Sequence, residues 1–494
     1  MANKKHITHF LEPPILTASP FVVGDNQLIV CNGVNPSHEL GVLKKDLGYA
    51  QVGSTVLATG QPIRSLYHFK QEPGTDKLLA TCNDAAGDDD TMLYYSIGGN
   101  WTPIGAAETA WNGEENMDIE MESFIKHCFF VGYASTDGFL PVGSLTGTTF
   151  STSENVTNMP QAKYIKRYRD RLYVANCNIT ATTYPYRVYF SSVPSAGAIT
   201  WTVASDFIDV DYSDEITGIE QNWDRLVIFT EFSAYMYDQA SKKKVWDVGC
   251  AGQRTIQNLG ATMIFANKDN VYASTGGRPV PIGNNILELL RNSTPSAWRS
   301  AVIDEEYNLY LGGTAAVPVT AGGISYVNLM ATLNMNTGMW RWREFSDDIY
   351  SMAKYTTGGD DFLVLGAADS EIHKKSKYSD TTPISADDGK PINAHWRTKP
   401  YDLGDPSVIK KIKKITTYTE FGNNMMIRFR VFNKNREILM PFNDIGVLNK
   451  VVNTFEDLKK LEGYFIQIEG RERSDQKAFR FFGFSLEFDL ASNK

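Results

Sequence analysis

LVIFTEFSAYMYD, residues Leu226–Asp238, consists of two short apolar runs joined by a polar tip. Its first run, LVIFT, and its second, AYMYD, are built from aliphatic, β-branched and aromatic residues and are each about the length of one strand, so the stretch predicts a β-hairpin. Outward from it the same pattern recurs. Runs like LVIFT begin at Leu78 (LLATC), Cys128 (CFFVG), Leu172 (LYVAN), Met263 (MIFAN), Leu309 (LYLGG) and Leu363 (LVLGA). With Leu226 included, successive starts are 50, 44, 54, 37, 46 and 54 residues apart. Most are followed by a second strand-like run, as in MLYYS at Met92, RVYFS at Arg187, VYAST at Val271 and SYVNLMATL at Ser325.

A period near 45 residues holding about four short strands is the spacing of a β-propeller blade, whose small sheet packs both faces on its neighbours. Several units close on an aromatic segment that suits the outer strand of a blade: GGNWTPIG (Gly98–Gly105), AITWTVAS (Ala198–Ser205) and TGMWRWRE (Thr337–Glu344). The expected fold class is all-β, a propeller of about six to eight blades, with an irregular multi-sheet β protein as the alternative. Helical patterns are confined to NNILELLRNS (Asn284–Ser293) and FEDLKKLEG (Phe455–Gly463).

The composition agrees with a folded body: of 494 residues, 42% are hydrophobic, 12% aromatic and 21% charged, which excludes a disordered chain. No run of about 18 apolar residues is present, so no integral membrane segment is expected, and MANKKHITHF at the start lacks a signal-peptide core. The five cysteines (Cys31, Cys82, Cys128, Cys177, Cys250) are far apart and read as buried thiols. The histidines never pair with cysteine at zinc-ligand spacing, and His6 and His9 are expected on a solvated terminal arm.

The texture changes after residue 376. KKSKYSDTTPISADDGKP (Lys374–Pro391) is polar and reads as a linker, and the strands beyond it alternate with period two. The expected organisation is a propeller body over 1–376, with an N-terminal arm over 1–30, a linker over 377–391, and an antiparallel β-sandwich or platform over 392–494. Charge divides at nearly the same point. Residues 391–494 carry 18 basic against 13 acidic side chains, a net of +5, which leaves −14 of the total of −9 on the body. An acidic body repels phosphate and argues against tight nucleic-acid binding.

Catalytic signatures are missing. There is no G-x-S-x-G elbow, phosphate loop, dinucleotide fingerprint or H-E-x-x-H, and ASTDGFLPVG around Asp137 fails the sialidase turn spacing. The expected catalytic, cofactor-binding and metal residues are therefore none, and no cofactor is expected. The acidic clusters GDDD (Asp88–Asp90) and DFIDVDYSDE (Asp206–Glu215) do not match a calcium loop; the first reads as a hairpin tip and the second, with Asp209 and Asp211 on one side of a strand, as a solvated face. The basic run IKKIKKI (Ile409–Ile415) reads as a protected sheet edge or a contact for an acidic protein partner. The pairs Trp223/Asp224 and Trp246/Asp247 are too close together for a WD40 array.

Two stretches carry a resemblance to a known family. DFIDVDYSDEITGIEQNWDRLVIFTEFSAYMYD (Asp206–Asp238), running into VGCAGQRTIQNLGATMIFANKDNVYASTGGRPVPIGNNI (Val248–Ile286), resembles a recurrent pattern in the tail hub or nozzle proteins of short-tailed bacteriophages. RTKPYDLGDPSVIKKIKKITTYTE (Arg397–Glu420) is similar to the segment with which those chains enter a terminal β domain. Asn270 stands where a turn glycine is commoner. The resemblance implies a propeller on a sandwich-like platform, assembled as a homo-oligomeric ring, with a hexamer favoured, in the virion tail. The implied partners are head-to-tail adaptor or connector proteins, tail fibres or tail-tip proteins, with double-stranded DNA passing through without specific binding. The family carries no catalytic residue over. The alternative function is a propeller lectin or glycoside-processing enzyme acting on host-surface polysaccharide.

Overall fold

The computed structural model describes residues 3–491 except 9, 11–19, 22, 37, 40, 54–56, 72–74, 85–89, 381–383, 385, 421–423, 457, 459–460 and 474–478. The fold is nearly all β, with 56% strand and 4% helix.

Seven sheets surround one axis. Their innermost strands are Ser65–Phe69, Asp118–Phe124, Gln161–Tyr168, Ile216–Asn222, Gln257–Leu259, Arg299–Ile303 and Ile349–Thr357, and each starts an antiparallel run of strands leading outward. These sheets are the blades of a β-propeller. The apolar runs that mark the sequence are the second strands. Their two faces serve two different cores: Leu226 and Ile228 pack towards the third blade, whereas Val227 and Phe229 pack towards the fifth. Cys128 and Phe130 divide from Phe129 and Val131 in the same way. A strand buried on both faces loses its polar alternation, which is why these runs are continuous.

Of the aromatic segments, Trp101–Pro103 and Met339–Glu344 are fourth strands of the first and sixth blades. Trp201 instead makes an isolated bridge to Ser191 and is buried between blades, the outer strand of the third blade being Phe207–Asp209. NNILELLRNS forms a 3-10 turn over Asn284–Ile286 and a helix over Leu287–Arg291. FEDLKKLEG is a correction: Phe455 and Glu456 end the strand Val452–Glu456, and Glu462–Gly463 is a short strand. Pairing of Phe455 with Ile415 across the sheet outweighs the weak helical pattern.

The domain boundaries also differ from expectation. The last blade takes its fourth strand, Tyr49–Gln51, from the N-terminal side of the chain, paired antiparallel with Ile372–Lys375. Upstream of that strand the chain belongs to the sandwich. Asn3–Thr8 and Leu43–Lys45 both pair with Arg480–Leu490, and Leu28–Asn32 pairs with Ala394–Thr398. Residues 3–8 are thus no free arm, and His6 sits opposite Ser485 in the sheet; His9 lies outside the described residues. The charge division survives, because residues 1–47 carry four basic and four acidic side chains.

Nor does the 377–391 segment behave as a linker where it is described. Ala386–Asp387 pairs with Lys390–Pro391 and runs parallel to Tyr49, and the Tyr378 hydroxyl donates to the Lys45 carbonyl at 2.7 Å. A Cβ on Gly48 would lie 1.7 Å from the Ala386 carbonyl oxygen, so glycine is required for this close approach.

One sheet joins the two parts. The sixth blade continues through a parallel bridge, Asn32 to Trp342, into Leu28–Asn32, Ala394–Thr398, Phe465–Glu472, Met425–Phe432 and Ile438–Leu448, nine strands in all. The junction is fixed by side chains: Asn32 Nδ2 donates to Glu344 at 2.9 Å and Asn32 Oδ1 accepts the Glu344 N–H at 3.2 Å. The opposing sandwich sheet holds Arg480–Leu490 and Lys410–Glu420, and Trp396, Phe429, Phe481 and Phe484 fill the space between the two layers.

Candidate functional site

The axis of the propeller is lined by residues from all seven inner strands and encloses a cavity of about 350 Å³. Its walls are charged. Arg254, on the 3-10 turn Gln253–Thr255 before the fifth blade, reaches the inner strands of the first two blades: Nη1 donates to Asp118 and Nε to Glu120, both at 3.1 Å, and Nη2 donates to Ser65 Oγ at 3.1 Å. Lys166 bridges Glu220 at 3.0 Å and Glu122 at 3.5 Å. Arg299 lies 3.8 Å from Asp118 and spends its other donors on the carbonyls of Tyr350, Ser296 and Trp298.

Burial sets the titration of these groups. It pushes Glu120 and Glu122 above the usual carboxylate range, against the pull of Arg254 and Lys166 respectively. Lys166 is raised as well: burial alone would lower it, but Glu220 and Glu122 outweigh that desolvation. The carboxylates of Glu120, Glu122 and Glu220 are each matched to a cation of the wall. Chemically the network is a polar brace that joins blades across the axis.

A second charged constellation lies on the sandwich. The buried carboxylate of Glu469 has His395 at 2.8 Å, Arg397 at 2.6 Å, Arg471 at 2.7 Å and Arg428 at 3.1 Å. Burial raises its pKa, but His395 and Arg397 overcome that and hold it far below the usual range. Arg397, Arg428 and Arg430 stack on the Phe442 ring at 4.9, 5.6 and 4.1 Å. Phe442 belongs to Ile438–Leu448, the strand at the end of the nine-stranded sheet. On that strand Ile438 is 54% and Leu439 61% exposed. This arginine cluster thus packs under the end strand that carries the exposed Ile438 and Leu439. Sequence reading missed this grouping, since the residues come from four separate strands.

The sequence clusters fall elsewhere. IKKIKKI is a correction: Lys410–Glu420 lies between Arg480–Leu490 and Val452–Glu456, so it is an interior strand. Its lysines pair within the chain, Lys411 with Glu462, Lys413 with Asp489 and Lys414 with Glu456. Of the face expected to be solvated, Asp211 is exposed, whereas Asp209 is bound by Arg187, whose guanidinium lies 3.8 Å from the Phe207 ring. Asp88 and Asp89 lie outside the described residues. Asn270 is buried, and its side-chain oxygen accepts the N–H groups of Val271 and Gly283 while its amide donates to Asn284. It ties the hairpin to the following helix, which a glycine would not do. The one grouping with metal-ligating geometry among the described residues, Asp369, Glu371 and His373, lies in the last blade.

No protein-family model matches the chain, and no curated protein matches it. Among solved structures it is similar to the Pan2 WD40 domain of Neurospora crassa, with 8% identity, 69% of this chain and 97% of that chain covered, and a TM-score of 0.40. It is similar also to BBS1N, solved in complex with ARL6DN (10% identity, 68% and 100% covered, TM-score 0.40), and to the AfRom2 CNH domain (7% identity, 67% and 100% covered, TM-score 0.40). These likenesses concern fold alone. The chain is a β-propeller protein with an attached β-sandwich, and no helix among its described residues is long and apolar enough to cross a membrane.

Proposed function

We propose that this chain is a non-enzymatic structural subunit of a bacteriophage tail, a nozzle or hub protein that assembles as a ring, with six copies favoured, around the path of DNA during ejection. The observation that carries the reading is the pairing of an acidic propeller with a basic sandwich that ends in the exposed apolar strand Ile438–Leu448. A strand end of this kind is a template for association, and opposite net charges favour contact of one copy's sandwich with its neighbour's body. Because an ion pair crosses the axis of the propeller, the proposed DNA path would run between copies, along the ring axis. An acidic wall there lets a duplex slide without gripping it. Adaptor proteins and fibres or tip proteins would dock on the two ends of such a ring.

Light scattering and negative-stain imaging of the purified full chain test this proposal. A ring with a central opening, and the chain's presence in purified particles, are expected. A monomer at all concentrations together with absence from particles overturns the reading, as does release of reducing sugar from host capsule by the purified chain.

A further inference from the structure

The last blade turns between Asp360–Ala367 and Ile372–Lys375 through the sequence DSEIH, Asp369–His373. The turn is anchored from outside: Ser370 Oγ accepts the Gln61 N–H at 2.8 Å, and its carbonyl accepts the Leu57 N–H at 3.3 Å. Within it, Asp369 Oδ1 accepts the Glu371 N–H at 3.2 Å. His373 is fully buried against the Tyr49 ring, 4.4 Å between centroids.

Among the described residues neither ring nitrogen of His373 has a hydrogen-bond partner, and the buried Glu371 Oε2 has none either. His373 Nε2 stands 3.9 Å from Asp369 Oδ1 and 3.8 Å from Glu371 Oε2, beyond hydrogen-bond range. The ligand atoms of all three residues lie within 4.8 Å of one another. Buried imidazole and carboxylate groups normally find partners, because leaving them unmatched costs free energy. A cation bonded at about 2.1 Å to nitrogen and oxygen would sit between atoms at these separations after small side-chain rotations. Asp347 and Asp388 add negative potential around Glu371, with Lys390 offsetting Asp347.

We propose that Asp369, Glu371 and His373 form a binding site for a first-row divalent cation, with Zn²⁺ the best fit. One imidazole with two carboxylates suits a borderline ion of this kind, whereas Mg²⁺ or Ca²⁺ would leave the buried nitrogen unused. The half-exposed Asp369 leaves room for water at the remaining positions. The search for cysteine-histidine spacing missed the set because D-x-E-x-H supplies its ligands from a single turn. The site also has a structural consequence. His373 pairs with Gln51 in the sheet, at the seam where the N-terminal side of the chain completes the last blade, so the ion would tie that seam.

The test uses the full chain, stripped with a chelator and titrated with ZnCl₂ by calorimetry and thermal melting. One equivalent bound and a Tm that rises with ZnCl₂ are expected. D369N and E371Q, each carrying an altered side chain at the rim of the turn, should fold by circular dichroism and lose at least tenfold in affinity, and H373Q should lose the site. If H373Q fails to fold, D369N and E371Q decide. Absence of binding, or binding of Zn²⁺ with unchanged affinity in both rim variants, overturns the proposal.

Discussion

The Arg254 guanidinium, carried by the turn before the fifth blade, lies 3.1 Å from the Asp118 carboxylate on the inner strand of the second, so one ion pair crosses the axis of the propeller. Breaking it leaves Asp118 and Glu120 facing one another without their shared cation. R254A is expected to lower stability by about 2 kcal/mol, below the full cost of breaking a buried pair because Asp118 keeps water contact and Arg299 nearby. R254K should fall between, keeping the charge and losing the fork. Urea unfolding of both variants checks the order.

Arg343, on the outer strand of the sixth blade, is tied to the seam beside the last blade. Its guanidinium is buried on Asp387, 3.7 Å from Asp46, and it donates to the Leu47 carbonyl. R343M should cost about 3–5 kcal/mol, since the buried Asp387 loses its principal cation while Asp46 keeps Lys375. D387N/R343M in one chain should recover part of that loss, measurable as a partial return of Tm.

The close approach of Gly48 to Ala386 gives a purely steric prediction. G48A places a methyl group 1.7 Å from a backbone oxygen, which cannot rotate away. The expected result is a Tm several degrees lower with circular dichroism otherwise unchanged, the seam being displaced and not the blades.

Stability should fall as the pH drops from about 7.5 to about 5.5. Burial lowers the pKa of His68, His127 and His395, outweighing Asp76, Glu154 and Glu469 respectively. The neutral ring is also the one the structure uses: His127 Nε2 accepts from Asn155 at 3.0 Å, and His68 Nδ1 accepts the Thr356 N–H. Below the ordinary imidazole range the unfolded chain takes up protons that the native chain refuses, so acid favours unfolding. H127Q should flatten the dependence of Tm on pH over this window.

Proteolysis tests the interlocked termini. A cut at 381–385 should leave both fragments in one complex under native conditions, because Leu28–Asn32 and Leu43–Lys45 stay paired with strands beyond the cut. The separately expressed segment 392–494 should aggregate, lacking those strands. Separation of two folded pieces on gel filtration would contradict the shared sheet.

The blades were legible because their second strands are buried on both faces, and a run such as Leu226–Thr230 records that in its letters. The ends were not. LIVCN at Leu28 pairs with a strand more than 360 residues away, and no local signal names so distant a partner. IKKIKKI misled for a related reason: lysines on an interior strand are tolerated where acidic neighbours such as Glu456 and Asp489 stand opposite, and those neighbours are invisible in the run itself. The axial brace and the Glu469 cluster share this property, each being assembled from strands that meet only in the folded molecule.

The strand Tyr49–Gln51 precedes its partner Ile372–Lys375 by more than 300 residues, and Asn3–Thr8 waits for Arg480–Leu490. Early blades can form during synthesis, since each is local in sequence. The propeller can close once Ile372–Lys375 meets Tyr49–Gln51, whereas the sandwich waits for Arg480–Leu490. Without Arg480–Leu490, the strands Asn3–Thr8 and Leu43–Lys45 are left with open edges, a template for wrong pairing.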